Sequence, residues 1–158
     1  MRSVIQRVDQ ASVSVDGTTV GHIDQGLCLF IGITHGDTEE DIKYIVDKTL
    51  NMRVFPEKSG VSGFDQSVQE VTGGLLLISQ FTLYASTRKG RRPSFIDAAH
   101  RDMAQSIFDK TVQAFQSSGL QIQTGIFGAS MNVKIDNSGP FTILLDSRDK
   151  DIPRRRQT

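Results

Sequence analysis

Tryptophan is absent from this sequence, and cysteine occurs once, at Cys28. A lone cysteine excludes an intramolecular disulfide and any metal site built from several thiolates, so a cytoplasmic setting is expected. Cys28 stands in the apolar run Leu27-Cys28-Leu29-Phe30-Ile31, where a buried, inert thiol is expected. Histidine is also scarce. His22, His35 and His100 have none of the spacings that place two imidazoles on one metal, and surface or capping roles are expected for them. No nucleophile elbow is present, because Gly60-Val61-Ser62-Gly63 lacks its spacing. The glycines form neither a P-loop nor a dinucleotide fingerprint, and no Ser-His-Asp pattern assembles. Neither a metal nor a cofactor is expected. No apolar run approaches the roughly 18 residues of a membrane span. Met1-Arg2-Ser3-Val4 opens directly into strand alternation, so no signal peptide is expected.

What is present suits one globular domain over 1–158, with 149–158 as a basic tail. Hydrophobic residues make up 37% and charged residues 23%, too apolar a balance for a disordered chain. The formal net charge is zero, which argues against indiscriminate coating of nucleic acid. The charge is unevenly placed, however. Arg88, Lys89, Arg91 and Arg92 fall within five residues, and Arg154, Arg155 and Arg156 lie near Arg148 and Lys150. Either cluster could be a solvated loop or a phosphate contact.

Alternation over 3–15, followed by Asp16-Gly17, predicts a strand and a hairpin turn, with 18–23 returning. The continuous apolar run 27–34 predicts a central strand. Asp37-Thr38-Glu39-Glu40 fits a capping box, with Asp37 as cap and Glu40 reaching back. Ile42, Ile45, Val46, Thr49, Leu50 and Arg53 then mark a helix that should end near Phe55-Pro56. Residues 57–66 read as a loop, and Val68 and Val71 as flanking a short strand. The run 75–81 is a buried strand that turns polar at its end, a place where ligands gather. Ser94 and Asp97 form a second capping-box pattern. Ala104, Ile107, Phe108, Thr111, Val112 and Phe115 predict a second helix, ending at Ser117-Ser118-Gly119. Many strands with two helices predict an α+β fold built on a barrel-like curled sheet.

Two segments carry candidate chemistry. Gly139-Pro140 lies between apparent strands at 131–135 and 141–145. It reads as a β-turn or as a rigid corner offering bare carbonyls to a ligand. Ser79, Gln80, Phe81 and Thr82 supply polar groups and backbone N–H donors at a strand end. Such donors suit the hydrolysis of a reactive ester, but not of an amide without further help.

Ser79-Gln80-Phe81-Thr82-Leu83-Tyr84-Ala85, Thr87-Arg88-Lys89-Gly90-Arg91-Arg92-Pro93-Ser94-Phe95 and Asn137-Ser138-Gly139-Pro140-Phe141-Thr142 together resemble the D-aminoacyl-tRNA deacylase family. The start Met1-Arg2 to Arg7-Val8, Gly36-Asp37-Thr38-Glu39-Glu40-Asp41 and Thr124-Gly125-Ile126-Phe127-Gly128-Ala129 fit it too, so the resemblance spans nearly the whole chain in order. It implies a homodimer that hydrolyses the ester of D-aminoacyl-tRNA. It also implies a cis Gly139-Pro140 bond at a corner inserted into the partner subunit's pocket, where it would reject L-aminoacyl groups. Glycine has no side chain to reject, so glycyl-tRNA is an implied substrate. The resemblance assigns Gln80 and Phe81, mainly through backbone N–H groups, to the oxyanion and the ester. Ser79 and Thr82 hold the strand end and the terminal adenosine. Thr82 has no neighbouring base in the motif to activate it as a nucleophile. Arg88, Lys89, Arg91 and Arg92 become acceptor-stem phosphate contacts. Two positions depart from the pattern: Phe141 stands where valine is usual, and Ser138 where aspartate is common. Phe141 is expected in the core. The residues alone leave two other readings open: an RNA-binding barrel without catalysis, and a small-ester hydrolase using Thr82.

Overall fold

A computed structural model describes residues 1–57 and 63–152. Gly60-Val61-Ser62 and the arginines at 154–156 lie outside the described residues. Strand β1 (Arg2–Val15) turns at Asp16-Gly17 into β2 (Thr18–Ile23). Both turn residues have positive φ, 49° and 80°, the backbone that a two-residue hairpin requires. After a short break the chain continues as β3 (Gly26–Gly32), still antiparallel to β1, so β2 and β3 together run along most of its length. Helix α1 (Glu39–Asn51) crosses to β4 (Gly74–Ser79), which pairs parallel with β3. A 3₁₀ turn (Phe81–Tyr84), α2 (Arg101–Gln116) and β5 (Ile122–Thr124) follow, and β5 pairs parallel with β4. Long β6 (Asn132–Asp146) lies along the other edge of β1.

The six strands curl into a nearly closed barrel. Closure is tight where β2 meets β5: a Cβ added at Gly21 would come within 2.9 Å of the Thr124 carbonyl oxygen. The apolar runs of β3 and β4 are explained by burial on both faces. Leu27, Leu29, Leu75 and Leu77 pack under the helices against Ile45, Phe108 and Phe115. Cys28, Leu76 and Ile78 point the other way, into the barrel with Val8, Val13 and Ile23.

Four local expectations are corrected. The first capping box sits one residue later: Thr38 caps α1, and Asp41 reaches back to its N–H at 2.8 Å. Asp37 instead accepts from the Thr34 N–H (2.8 Å) and the Met1 ammonium (2.6 Å). The helix stops at Asn51, because Val54 and Phe55 donate to the Gln66 carbonyl in a bridge. Residues 68–72 form turns, with Thr72 at φ +55°, instead of a strand. Ser94 does not cap a helix. It exchanges hydrogen bonds with Ser86 (2.8 and 2.9 Å), and α2 starts later, capped at His100.

Candidate active site

Parallel strands β3 and β4 end side by side, and the site is built on their C-terminal ends. The Gln80 N–H donates to the Ile31 carbonyl at 2.8 Å, the last bond of this pairing. It is therefore not free for a substrate, which corrects the donor role expected of Gln80. The chain then tightens into the 3₁₀ turn. Gly32 makes room for it: a Cβ there would lie 2.9 Å from Leu83 Cβ and 3.0 Å from the Gln80 carbonyl oxygen. At the start of the turn the Phe81 and Thr82 N–H groups have no acceptor among the described residues. The Thr82 hydroxyl accepts from Gln80 Nε2 at 2.5 Å. No imidazole or carboxylate hydrogen-bonds to it among the described residues.

Arg2 holds the turn from beneath. Its Nη1 donates to the Leu83 carbonyl (3.0 Å) and its guanidinium covers the Tyr84 ring at 4.6 Å. Its Nε donates to Asp146 (3.0 Å), which also binds Arg148 at 2.6 Å. The Arg148 hydrogen bonds, aided by Arg2, hold the Asp146 carboxyl well below the usual carboxylate range. Burial, with Asp37 and Asp146 nearby, pushes the Tyr84 phenol up. Arg148 and Lys150, which lie near the arginines at 154–156 in the sequence, are paired with Asp146 and Asp41.

Beside the turn opens a cleft of about 910 Å³. Ser79, Gln80 and Phe81 line it, Ile31 and Ile78 add apolar walls, and Phe95, Phe127 and Met131 close it from later segments. Phe81 and Phe95 meet edge to face at 5.0 Å. An apolar cleft with few polar groups suits a small organic group. Thr82 is exposed beside the cleft, not in its lining. The loop closed by Ser86 and Ser94 carries Arg88, Lys89, Arg91 and Arg92, all exposed, around Gly90 at φ +74°. Among the described residues, no group of three metal-ligating side chains gathers.

Gly139 and Pro140 are absent from that lining and are exposed. Their peptide bond is cis. The chain does not turn back there. Asn137 pairs with Val8 and Thr142 with Gln6, so Ser138, Gly139, Pro140 and Phe141 bulge from β6 opposite Arg7 alone. Arg7 Nε donates to the Ser138 carbonyl (3.2 Å) and Nη1 to the Val54 carbonyl (2.6 Å). Gly139 has φ +121°, and a Cβ there would lie 2.8 Å from Arg7 Nη2. Phe141 is half-buried against the core, between the Arg7 guanidinium and the exposed Phe64 ring.

Sequence reasoning gave no site role to Phe95 or to Phe127-Gly128-Ala129, and only surface or capping roles to the histidines, yet His35 and His100 both line the cleft with their rings in contact. The glycine-aromatic run between β5 and β6 was a usable signal. The histidine pair has none, since its members meet only in the fold.

The model of the D-Tyr-tRNA(Tyr) deacylase family matches residues 4–146, a span that contains both the cleft and the corner. The chain belongs to this family. A D-aminoacyl-tRNA deacylase of Aquifex aeolicus (strain VF5) is 50% identical over 149 residues, covering 94% of this chain and 99% of the relative. One from Halalkalibacterium halodurans is 48% identical over 148 residues, covering 94% and 100%. Among solved structures, the c-Myc DNA unwinding element binding protein superposes with a TM-score of 0.86 at 37% identity, covering 92% of this chain and 98% of its own. A probable eukaryotic D-amino acid tRNA deacylase shares the fold, with a TM-score of 0.81 at 18% identity and coverage of 91% and 97%. Among the described residues of this deacylase-family chain, no helix is long and apolar enough to cross a membrane.

Proposed function

We propose that this chain hydrolyses the ester bond joining a D-amino acid to tRNA, releasing free D-amino acid and tRNA. The observation that carries the reading is the pair of unpartnered N–H groups at Phe81 and Thr82, at the edge of an apolar cleft. Attack of water on the ester carbonyl places negative charge on its oxygen. Each N–H aimed at that oxygen lowers the barrier by roughly 2.7–4 kcal/mol. The water gives its oxygen to the carbonyl carbon, and the departing tRNA 3′-oxygen takes a proton. The 2′-hydroxyl of the terminal ribose assists the water, because Thr82 has no base to make it a nucleophile. Ser79 and the Gln80–Thr82 contact keep the strand end in place for the terminal adenosine.

Stereoselectivity rests on a second copy of the chain. Its Gly139-Pro140 corner enters this cleft, and the two carbonyls grip the α-amino group. An L side chain would strike the backbone there, so the wrong hand is excluded sterically. Glycyl-tRNA, with no side chain to exclude, is also cleaved. The exposed corner and its absence from the cleft of its own subunit support this homodimer. Arg88, Lys89, Arg91 and Arg92 contact acceptor-stem phosphates, and the enzyme acts in the cytoplasm.

The test is deacylation of matched D- and L-tyrosyl-tRNA with EDTA present, alongside sedimentation of the protein. Rapid loss of the D ester alone, by a dimer, is expected. Equal loss of both esters refutes the role of the corner. Saturable tRNA binding without faster ester loss would make this a binding module instead.

A further inference from the structure

The ester chemistry uses the strand end and leaves another group of cleft residues without work. His35, His100 and Arg101 line the same cavity, and no carboxylate does. The two imidazoles meet edge to face at 5.2 Å. His35 Nε2 lies 3.2 Å from the Ile96 carbonyl oxygen, which can only accept, so this nitrogen carries a proton and the ring is fixed. Arg101 is held against a glycine. A Cβ at Gly128, whose φ is +74°, would lie 2.8 Å from Arg101 Nη2 and 3.2 Å from its Cζ. The guanidinium packs in that space and makes no ion pair among the described residues. His100 and Arg101 are the cap and first residue of α2, so the positive end of the helix dipole lies at this rim as well.

We propose that His35, His100 and Arg101 form a phosphate subsite, which takes the phosphodiester on the 5′ side of the terminal adenosine. This rests on the reading that the aminoacyl end of tRNA occupies the cleft. A guanidinium with no ion pair among the described residues, beside imidazoles and in a cleft that no described carboxylate lines, matches a planar, anionic, multi-acceptor group. The subsite is separate from the exposed loop of Arg88 to Arg92, which meets phosphates further along the acceptor stem. It orients the 3′ end from one side, while the N–H groups of Phe81 and Thr82 receive the ester.

The experiment compares the binding of 5′-AMP, adenosine and inorganic phosphate to the intact protein by calorimetry, with competitive inhibition of D-tyrosyl-tRNA hydrolysis as a second readout. AMP is expected to bind about tenfold more tightly than adenosine, a typical gain for a charge-assisted contact. Arg101→Gln should shrink that advantage to under about threefold, and Arg101→Lys should fall between, since lysine lacks the planar fork. His100→Gln gives an independent reduction should the arginine variants fold poorly. Equal binding of AMP and adenosine overturns the subsite while leaving the ester-hydrolase reading intact. An AMP advantage that survives in every variant also overturns it. Inorganic phosphate binding as tightly as AMP would make this a free-phosphate site and overturn the assignment to RNA. Binding of neither nucleoside nor nucleotide would overturn the placement of the tRNA end in the cleft as well.

Discussion

At the scale of single residues, position matters more than chemical type. Thr82 carries a hydroxyl, but its polar contact is the Gln80 amide, and among the described residues no imidazole or carboxylate hydrogen-bonds to it to take its proton. Thr82→Ala should therefore keep kcat for D-tyrosyl-tRNA within about fivefold of the parent, whereas loss of a true nucleophile costs several orders of magnitude. Single-turnover assays distinguish the two, and a collapse of activity would restore the nucleophile reading. Gly139 is the opposite case. Its φ of +121° and the 2.8 Å approach to Arg7 leave no space for a methyl group. Gly139→Ala should lower turnover of D substrates by tenfold or more, and the strain of an L side chain at this positive φ should also lower the thermal midpoint. Unaltered D turnover would remove the corner from the site. Cys28 is fully buried, and burial pushes its thiol up to about 12. A thiol reagent at pH 8 should leave it untouched until the protein unfolds, and prompt labelling of native protein would contradict the packing described.

At the scale of elements, the 3₁₀ turn depends on what lies beneath it. Arg2 joins three parts: the Leu83 carbonyl, the Tyr84 ring and the Asp146 carboxylate at the end of β6. On the proposed mechanism, Arg2→Ala should lower kcat for the D ester more than it raises KM, because it would loosen the Phe81 and Thr82 N–H donors assigned to the transition state. A change confined to KM would place Arg2 in substrate binding instead.

How legible an element was from sequence follows the range of the forces that set it. The runs at β3 and β4 announce strands buried on both faces, and the stripe from Ala104 to Phe115 announces a helix, since apolar period is written along the chain. The strand end from Ser79, beside the cleft, was readable for the same reason, as a change from apolar to polar. The β6 bulge was not readable. Asn137, Ser138, Gly139 and Pro140 are all turn formers, and only pairing of both flanks with β1 shows that the strand resumes. The Ser94 and Asp97 pattern misled in the same way, because Ser94 is held by Ser86 across a loop. Likewise the Gln80 N–H was engaged by a neighbouring strand that no local pattern names.

At the scale of the whole molecule, electrostatics tie the chain ends to the site. Asp146 is held by Arg148 and Arg2. Asp41, despite some desolvation, is stabilised as a carboxylate by Ser147, Thr38 and Lys150. Both carboxyls are depressed in the folded state. Their stabilisation is thus complete above the unfolded value near pH 4 and is lost as pH falls through the lower folded values. Unfolding midpoints should be flat from about pH 5 to 7 and drop steeply below about pH 4. Asp146→Asn should cost about 1 kcal/mol at pH 7, discounted for the exposed arginine, and flatten that acid slope. An unchanged slope in the variant would assign acid sensitivity to other groups. In the core between sheet and helices, Phe115→Ala should cost about 3–5 kcal/mol by leaving a cavity, read by denaturant unfolding.

The bulge on β6 has a consequence for how such a protein can change. Four residues leave the ladder opposite Arg7, and the strand rejoins the same neighbour on either side. The pairing that holds the barrel together is indifferent to how far the excursion reaches or which residues form it. Under the proposed role of the corner, substrate discrimination rides on a segment that evolution, or an engineer, can lengthen, shorten or rewrite while the fold beneath it stays in register.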